Sequence, residues 1–255
     1  VTTVTEASYG PLSFDLGTTY YWRVDEVNDA ETPTTWKGDL WDFRTQEYFV
    51  VDDFEDYNDY PGNRVYETWA DGYEIPANGA MIGYPEPLNY AAGEHILETT
   101  NIHSGEQSLP FFYDNSTAAS SEATVNIADL AIGSDWTVNG VKTLSLWFSG
   151  DPNNSAEQMY VKLNSVKVAY DGDAGNLSKA AWQPWNINLT DFAGVNLSNV
   201  TELGIGLERI GFSGGSGMVL FDDIRLYRLA PEIVVPSEEI WFEAEAADTI
   251  TAPFQ

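Results

Sequence analysis

Two pairs of adjacent aspartates stand inside otherwise apolar segments near the two ends of the central part of the chain. One is Asp52-Asp53 in YFVVDDFEDY, and the other is Asp222-Asp223 in GMVLFDDIRLYRL. Calcium takes about six to eight oxygen ligands, many from carboxylates, and needs neither His nor Cys. If the two segments are neighbouring strands, their acidic residues converge on one calcium ion. Solvated strand-end residues are the alternative, although adjacent aspartates are costly to bury without a partner.

Aromatic side chains supply a second kind of chemistry. Flat rings stack on the apolar faces of pyranose rings, while nearby carboxylates, amides or Lys bond the hydroxyls. In KTLSLWFSG, strand alternation makes Leu144, Leu146 and Phe148 the inner set and turns Trp147 outward. The same alternation predicts one outer sheet face that carries Phe112, Trp147, Tyr160, Lys162, Trp182 and Glu208. An alternative platform at the sandwich edge consists of the loop residues Trp69, Tyr73 and Tyr84. Packing under a loop or a neighbouring domain is the other explanation for each ring.

The residues of common catalytic sites are missing or unspecific. The chain has no Cys and two His residues, His95 and His103, and it contains neither HExxH nor GxSxG. Histidine-based nucleophilic catalysis and zinc catalysis are therefore not expected. Paired carboxylates of the glycosidase kind stay open, because 40 acidic residues are present and no spacing singles out a pair. We expect a protein that is not an enzyme.

The charge of the chain disfavours polyanionic partners. Asp and Glu number 40 against 11 Lys and Arg, so the formal net charge is -29, which repels nucleic acids and anionic lipid surfaces. Solubility in salty water and divalent-cation binding are the two explanations for this acidity. The sequence has no apolar run long enough for a membrane span. VTTVTEASYG lacks the pattern of a signal peptide, so any export signal is expected upstream.

The element pattern that must position these residues is all-β. Aromatic residues make up 14% of the chain, and the residue mixture of helical proteins is absent. Between residues 48 and 230, alternating runs such as VKTLSLWFSGD and VTELGIGLERIG are separated by turn-rich segments such as GDPNNSAE. About eight short strands predict a jelly-roll β-sandwich in which the first and last strands pair. Only DLAIGSDWTVNG is expected to include a helical turn.

Two shorter pieces flank this unit. Residues 1–47 contain FDLGTTYYWRV followed by WKGDLWDFRT, which resembles the last strands of a fibronectin type III domain. The resemblance places Tyr20 at the tyrosine corner, although Leu16 stands where Pro is usual. Residues 231–255 are predicted to be a linker and the first strand of a further module. An excised fragment is one explanation for the partial domains, and completion by neighbouring subunits is the other.

Three motifs of the central unit carry a further resemblance. An initial DFExY, a following HSGxxSL and a terminal FDDIRLY resemble jelly-roll, galactose-binding-like carbohydrate-binding modules. In those families a structural calcium ion commonly joins the three segments. The resemblance implies, as residues of a calcium site, Asp53, Glu55, His103, Glu106, Asp222 and Asp223, with backbone oxygens near His103 and Glu106 among the ligands.

The same resemblance implies a non-catalytic module that binds polysaccharide or a cell-surface glycan, within a secreted or cell-surface bacterial protein of several modules. The other expected partners are neighbouring modules of the same chain and further copies joined through incomplete terminal domains. Neither nucleic acid nor membrane insertion is expected. A structural or adhesive extracellular protein without a glycan ligand, including a filament subunit, is the alternative.

Overall fold

The structure of the protein is a computed structural model that describes residues 3–6 and 8–231. Apart from Pro231, the predicted linker and module start at 231–255 lies outside the described residues. Within the described part of the chain, no helix is long and apolar enough to cross a membrane.

The N-terminal piece forms two small antiparallel pairs, in which β1 pairs with β4 and β2 with β3. The Tyr20 hydroxyl accepts a hydrogen bond from the backbone N–H of Asp15 at 2.8 Å. A tyrosine corner likewise bonds the backbone a few residues upstream, and the assignment to a fibronectin type III domain stays a prediction. The strands are β1 (Thr19–Trp22), β2 (Glu26–Val27), β3 (Thr35–Trp36) and β4 (Trp41–Arg44).

The central unit is built from strands with only short helical turns between them. One 3-10 turn, Val138–Gly140, lies in DLAIGSDWTVNG as predicted, but the prediction that a helical turn occurs only there is wrong. The others are Tyr90–Ala92, Ile127–Asp129, Ala174–Ser178 and Leu189–Asp191, and a single α-helical turn, α1, spans Val65–Thr68. The strands are β5 (Tyr48–Asp52), β6 (Trp69–Ala70), β7 (Ala80–Ile82), β8 (Leu109–Asp114), β9 (Ser120–Asn126), β10 (Thr143–Ser149), β11 (Gln158–Leu163), β12 (Val166–Ala169), β13 (Gln183–Asn188), β14 (Glu202–Glu208) and β15 (Ser216–Tyr227).

These strands divide into two sheets of a β-sandwich. The six-stranded sheet has the order β13-β10-β15-β8-β7, with β5 also paired to β15. The five-stranded sheet has the order β12-β11-β14-β9-β6. From β9 to β11 and from β13 to β15, consecutive strands alternate between the two sheets. The central unit is therefore a jelly-roll β-sandwich, as predicted.

The core lies between the two sheets and is supplied by every second residue of each strand. On β10, Leu144, Leu146 and Phe148 are buried and Trp147 is half-buried, which confirms the predicted inner set. Burying one such aliphatic or aromatic side chain stabilises the fold by about 1.5–3 kcal/mol. The other sheet contributes from its central strand, β14, the buried residues Leu203, Ile205 and Leu207.

The first and last strands of the sandwich lie side by side, as predicted. β5 and β15 pair antiparallel, with Tyr48 opposite Tyr227 and Asp52 opposite Ile224. At the aspartate pair of β15 the register shifts against β10 and β5, and Asp223 has a φ of 52°. This is a β-bulge, which inserts one residue and re-aims the side chains beside it.

Candidate functional site

The bulge in β15 fastens the loop that precedes β8. Asp222 and Asp223 are fully buried. Asp222 Oδ2 accepts the backbone N–H groups of His103 at 2.9 Å and Ser104 at 3.2 Å. Asp223 accepts the Ser104 hydroxyl at 2.8 Å and pairs with His103 Nδ1 at 2.5 Å and with the Arg225 guanidinium. The two neighbouring aspartates thus hold one loop against the six-stranded sheet.

Burial gives this pair unusual electrostatics. Loss of solvent, and then the adjacent negative charge of Asp223, raise the pKa of Asp222 to about 6, although backbone N–H bonds oppose the shift. Arg225 is the one guanidinium in contact with the pair among the described residues. Two buried carboxylates beside a single strong cation form a region that favours additional positive charge.

The predicted calcium residues are brought together only in part. Ligand atoms of His103, Asp222 and Asp223 lie within 4.8 Å of one another. Glu55 Oε1 instead accepts the backbone N–H groups of Glu106 at 2.9 Å and Gln107 at 3.1 Å. At both places the loop presents N–H groups to the carboxylates.

The two remaining predicted ligands stand apart from that group. Asp53 is half-buried and accepts the backbone N–H of Glu55 at 3.4 Å. The Glu106 side chain is exposed and accepts no hydrogen bond from the described residues. Calcium itself stays a prediction.

Two of the predicted sugar-stacking rings pack around the same loop. The indole of Trp147 stacks on the His103 ring with centroids 3.7 Å apart and planes at 17°. Trp182 meets the same imidazole edge-on at 5.8 Å. One face of Trp147 is therefore occupied by the protein's own loop. Phe112 lies on β8 in an edge contact with Tyr84, and it lines a cavity of about 540 Å³.

The prediction that six ligand-binding residues share one sheet face is wrong. Phe112 and Trp147 lie on strands of the six-stranded sheet, and Trp182 immediately precedes another of its strands. Tyr160, Lys162 and Glu208 lie on β11 and β14 of the five-stranded sheet. Alternation along a strand separates inner from outer positions, but it does not say which sheet the strand joins.

The outer face of the five-stranded sheet has a glycine-lined centre. Gly204 and Gly206 lie on β14, opposite Lys162 and Tyr160 of β11, respectively. A Cβ on Gly206 would meet the Tyr160 ring at 2.5 Å, and one on Gly204 would meet Lys162 at 3.3 Å. Both side chains therefore lie across the central strand where it has no side chains of its own. Glycine within a strand often marks such a close approach.

Acidic residues hold these two side chains in place. The Tyr160 hydroxyl donates to Glu122 on β9 at 2.9 Å. Lys162 bonds the same carboxylate and pairs with Glu202 at 3.5 Å. Burial, and then the nearby carboxylate of Glu122, raise the pKa of Tyr160 well above its ordinary value, so the phenol stays protonated.

A lysine covers the Tyr160 ring. Lys167 Nζ on β12 lies 3.8 Å from the ring centroid and pairs with Glu208 at 2.6 Å. Although Tyr160 lies on an outer face, it is only 1% exposed. Glu122 and Lys167 were not among the predicted ligand-binding residues. In VKVA, Lys167 alternates with Val166 and Val168, and this pattern could have placed Lys167 on the outer face. We call Glu122, Tyr160, Lys162, Lys167 and Glu208 the Tyr160 face.

The proposed edge platform is wrong for Trp69. This side chain is fully buried, and its Nε1–H donates to Asp52 at 2.8 Å. The Tyr57 hydroxyl donates to the same carboxylate at 2.6 Å, and burial raises the pKa of Asp52. An aromatic residue in a turn-rich segment can still enter the core when the segment forms an edge strand, as β6 does. Tyr73 is 72% exposed, in keeping with its predicted position at the surface.

The solved structures that are similar to this chain include carbohydrate-binding modules. No protein-family model and no curated protein matches the chain. The family 11 carbohydrate-binding module from Clostridium thermocellum, solved with a β-1,3-1,4-mixed-linked tetrasaccharide, is 14% identical; the match covers 71% of this chain and 95% of that one, with a TM-score of 0.43. The CBM22-1 xylan-binding domain of Xyn10C from Paenibacillus barcinonensis is 10% identical over 71% of this chain and 94% of that one, with a TM-score of 0.41.

An enzyme is among the similar structures. The β-1,2-glucanase from Parabacteroides distasonis is 16% identical, with a TM-score of 0.42 over 71% of this chain. The match covers 25% of that enzyme.

Proposed function

We propose that residues 48–230 form a non-catalytic polysaccharide-binding module and that the glycan lies on the Tyr160 face. The observation that carries the proposal is the Tyr160 ring, laid across Gly206 on the outer side of a central strand. A ring held flat on a sheet provides an apolar surface for the C–H face of a pyranose ring. The two glycines of β14 let the Tyr160 ring and the Lys162 side chain lie close against the sheet.

Charged groups around the ring provide the hydrogen bonds. Glu122 and Glu208 offer acceptors, and Lys162 offers donors, within one or two strands of Tyr160. Alternating donors and acceptors suit the hydroxyls of a neutral sugar. The net charge of -29 disfavours polymers that carry carboxylate or sulfate groups. The preferred ligand is therefore a neutral polysaccharide.

Binding to this face requires that Lys167 move. Its ammonium group lies over the ring at 3.8 Å, the position that a stacked sugar would occupy. Lys167 and Glu208 are each about one-third exposed, at 36%, so their ion pair can rearrange at modest cost. The lysine side chain thus competes with the glycan for the aromatic surface.

A retention experiment tests the proposal. The full chain is run by affinity electrophoresis through gels containing mixed-linkage β-glucan or xylan, the kinds of glycan named for the similar modules. We expect retention of the wild type and loss of retention in Tyr160→Ala. Trp147→Ala is the matched control: it removes a ring that packs on His103, so retention should persist while the melting temperature falls. Equal retention of wild type and Tyr160→Ala would exclude the Tyr160 face.

We further propose that calcium binds at the Asp222-Asp223 pair and stabilises the module. The support is two fully buried, adjacent carboxylates with one guanidinium in contact. Glu55, which accepts backbone N–H groups from the other end of the same loop, is the third carboxylate suited to calcium. The imidazole of His103 is less suitable because calcium prefers oxygen. Bound calcium would neutralise buried negative charge and hold β15 and the loop together.

A structural or adhesive role remains the second candidate, and a specific observation favours it. The N-terminal piece exposes large apolar side chains, including Tyr21 at 68%, Leu40 at 67% and Trp41 at 58%. Such a surface suits packing against a neighbouring module or subunit. Absence of retention on every glycan, together with ordered filaments in electron micrographs, would support this role. For either function we propose a secreted or cell-surface location in a multimodular bacterial protein.

A further inference from the structure

A cavity of about 420 Å³ opens between loops outside both sheets. It is lined by residues of three segments, 57–59, 95–99 and 106–107. Its volume lies toward the lower end of the roughly 300–1,000 Å³ range of small-molecule sites. Because none of its lining residues belongs to a strand, the cavity is separate from the Tyr160 face.

One wall of the cavity holds an oriented histidine. Asp59 Oδ1 accepts the backbone N–H of Ile96 at 2.9 Å, and its Oδ2 lies 2.7 Å from His95 Nδ1. A carboxylate only accepts hydrogen bonds, so His95 donates from Nδ1 and its ring is fixed in one orientation. Nε2 has no hydrogen-bond partner among the described residues, which leaves it for a ligand.

Another part of the lining, Glu106 and Gln107, has acceptors without hydrogen bonds. The Gln107 side-chain N–H₂ donates to the carbonyls of Phe54 at 2.5 Å and Tyr57 at 2.9 Å. This fixes the amide and leaves its Oε1 without a donor from the described part of the chain. The carboxylate of Glu106 also receives no hydrogen bond there. A ligand in this cavity must therefore bring donors, and a carboxylate or sulfate group would be repelled by Glu106 and Asp59.

Apolar surface completes the lining. Leu97 is 4% exposed and Tyr57 is 9% exposed, so both present packed carbon to the cavity. The other six lining residues are polar or charged, so the lining is more polar than that of most small-molecule sites and suits a ligand with many hydroxyl groups. A pyranose ring matches it, since the ring has an apolar C–H face and hydroxyl donors around its edge. We propose that this cavity is a second carbohydrate site, one that takes a neutral mono- or disaccharide independently of the Tyr160 face.

The proposal is tested by two-dimensional ¹H–¹⁵N NMR of the full chain with glucose, cellobiose and glucuronate as probes. We expect glucose or cellobiose to shift backbone amides of residues 95–99 and 106–107, and glucuronate to leave them unchanged. His95→Ala should weaken the response about tenfold, as expected for one lost hydrogen bond and its orientation. Thr99→Trp, which fills the cavity from an exposed position, should abolish it.

Two control variants separate this site from the rest of the molecule. Tyr160→Ala should leave the cavity response unchanged, so failure of the Tyr160 face in the retention experiment does not affect this test. Asp56→Asn changes an exposed carboxylate next to the cavity-lining segment and should respond as the wild type does. Retained spectral dispersion in each variant verifies folding. No shift with either neutral sugar, or an equal shift with glucuronate, would overturn the proposal.

Discussion

Removal of the Lys167 side chain should strengthen glycan binding. In the free protein, the Lys167 ammonium group lies 3.8 Å from the centroid of the Tyr160 ring and 2.6 Å from a Glu208 oxygen. A glycan that stacks on the ring must break the first contact and disturb the second. Lys167→Ala removes the competitor before the glycan arrives, so the energy of breaking these contacts no longer opposes binding.

The size of the gain follows from the exposure of the two contacts. A cation–π contact at an exposed site contributes about 0.5–1 kcal/mol, and a surface ion pair contributes about 0–1 kcal/mol. With both partners of the ion pair at 36% exposure, we take the low end of each range. The total is about 0.5 kcal/mol, which corresponds to an affinity increase of roughly twofold.

Isothermal titration calorimetry with a soluble oligosaccharide of the retained glycan measures this change. Lys179→Ala is the matched control, because it removes the same charge and a comparable ion pair, with Asp173 at 3.5 Å, outside the five-stranded sheet. The control should bind as the wild type does. Weaker binding by Lys167→Ala would mean that the lysine side chain contacts the glycan. Unchanged binding would mean that the glycan does not stack on the Tyr160 ring. Either result would refute the proposal that Lys167 and the glycan compete for the Tyr160 ring.

Three further predictions concern stability. EDTA should lower the melting temperature by about 5–10 °C if calcium is bound at roughly 100 times its Kd, and Asp222→Asn should abolish this response; an unchanged melting temperature would contradict the calcium site. Asp52→Asn should lower the free energy of unfolding, measured with urea, by about 1–3 kcal/mol, because a buried donor that bonds the carboxylate, such as the Trp69 N–H, loses its acceptor. Asp56→Asn changes an exposed carboxylate and should lower the free energy of unfolding little. Although burial opposes ionisation, hydrogen bonds lower the pKa of Glu98 to about 2. Because this folded-state pKa lies below the unfolded value of about 4.3, the contribution of Glu98 to the free energy of unfolding should be complete above about pH 4.3 and should be lost as the pH falls toward 2. Glu98→Gln should flatten this part of the profile of stability against pH.

Much of the strand pattern was accessible from local sequence. The alternation in KTLSLWFSG correctly separated Leu144, Leu146 and Phe148 from Trp147, because successive side chains of a strand point to opposite faces. The likeness of the two Asp-Asp segments correctly suggested that the first and last strands pair. Both inferences rest on properties that a short stretch of chain carries by itself.

The composition of the candidate site depended on contacts between distant parts of the chain. Tyr160 and Trp147 have equivalent outward phases, yet their strands join different sheets. Trp69, in a turn-rich segment, enters the core because its indole N–H meets Asp52 from another strand. No local pattern contains the partner strand, so none could decide these placements.

The sequence by itself determined an acidic, all-β chain, the inner and outer positions of its strands, and the acidic pairs at the ends of its central unit. Only the tertiary structure decided which outer residues meet, that a lysine covers the Tyr160 ring, and that Asp222 and Asp223 both hold the His103 loop. The physical reason is that alternation is a property of one strand, whereas sheet membership, bulge position and side-chain cover are set by pairing between strands far apart in sequence.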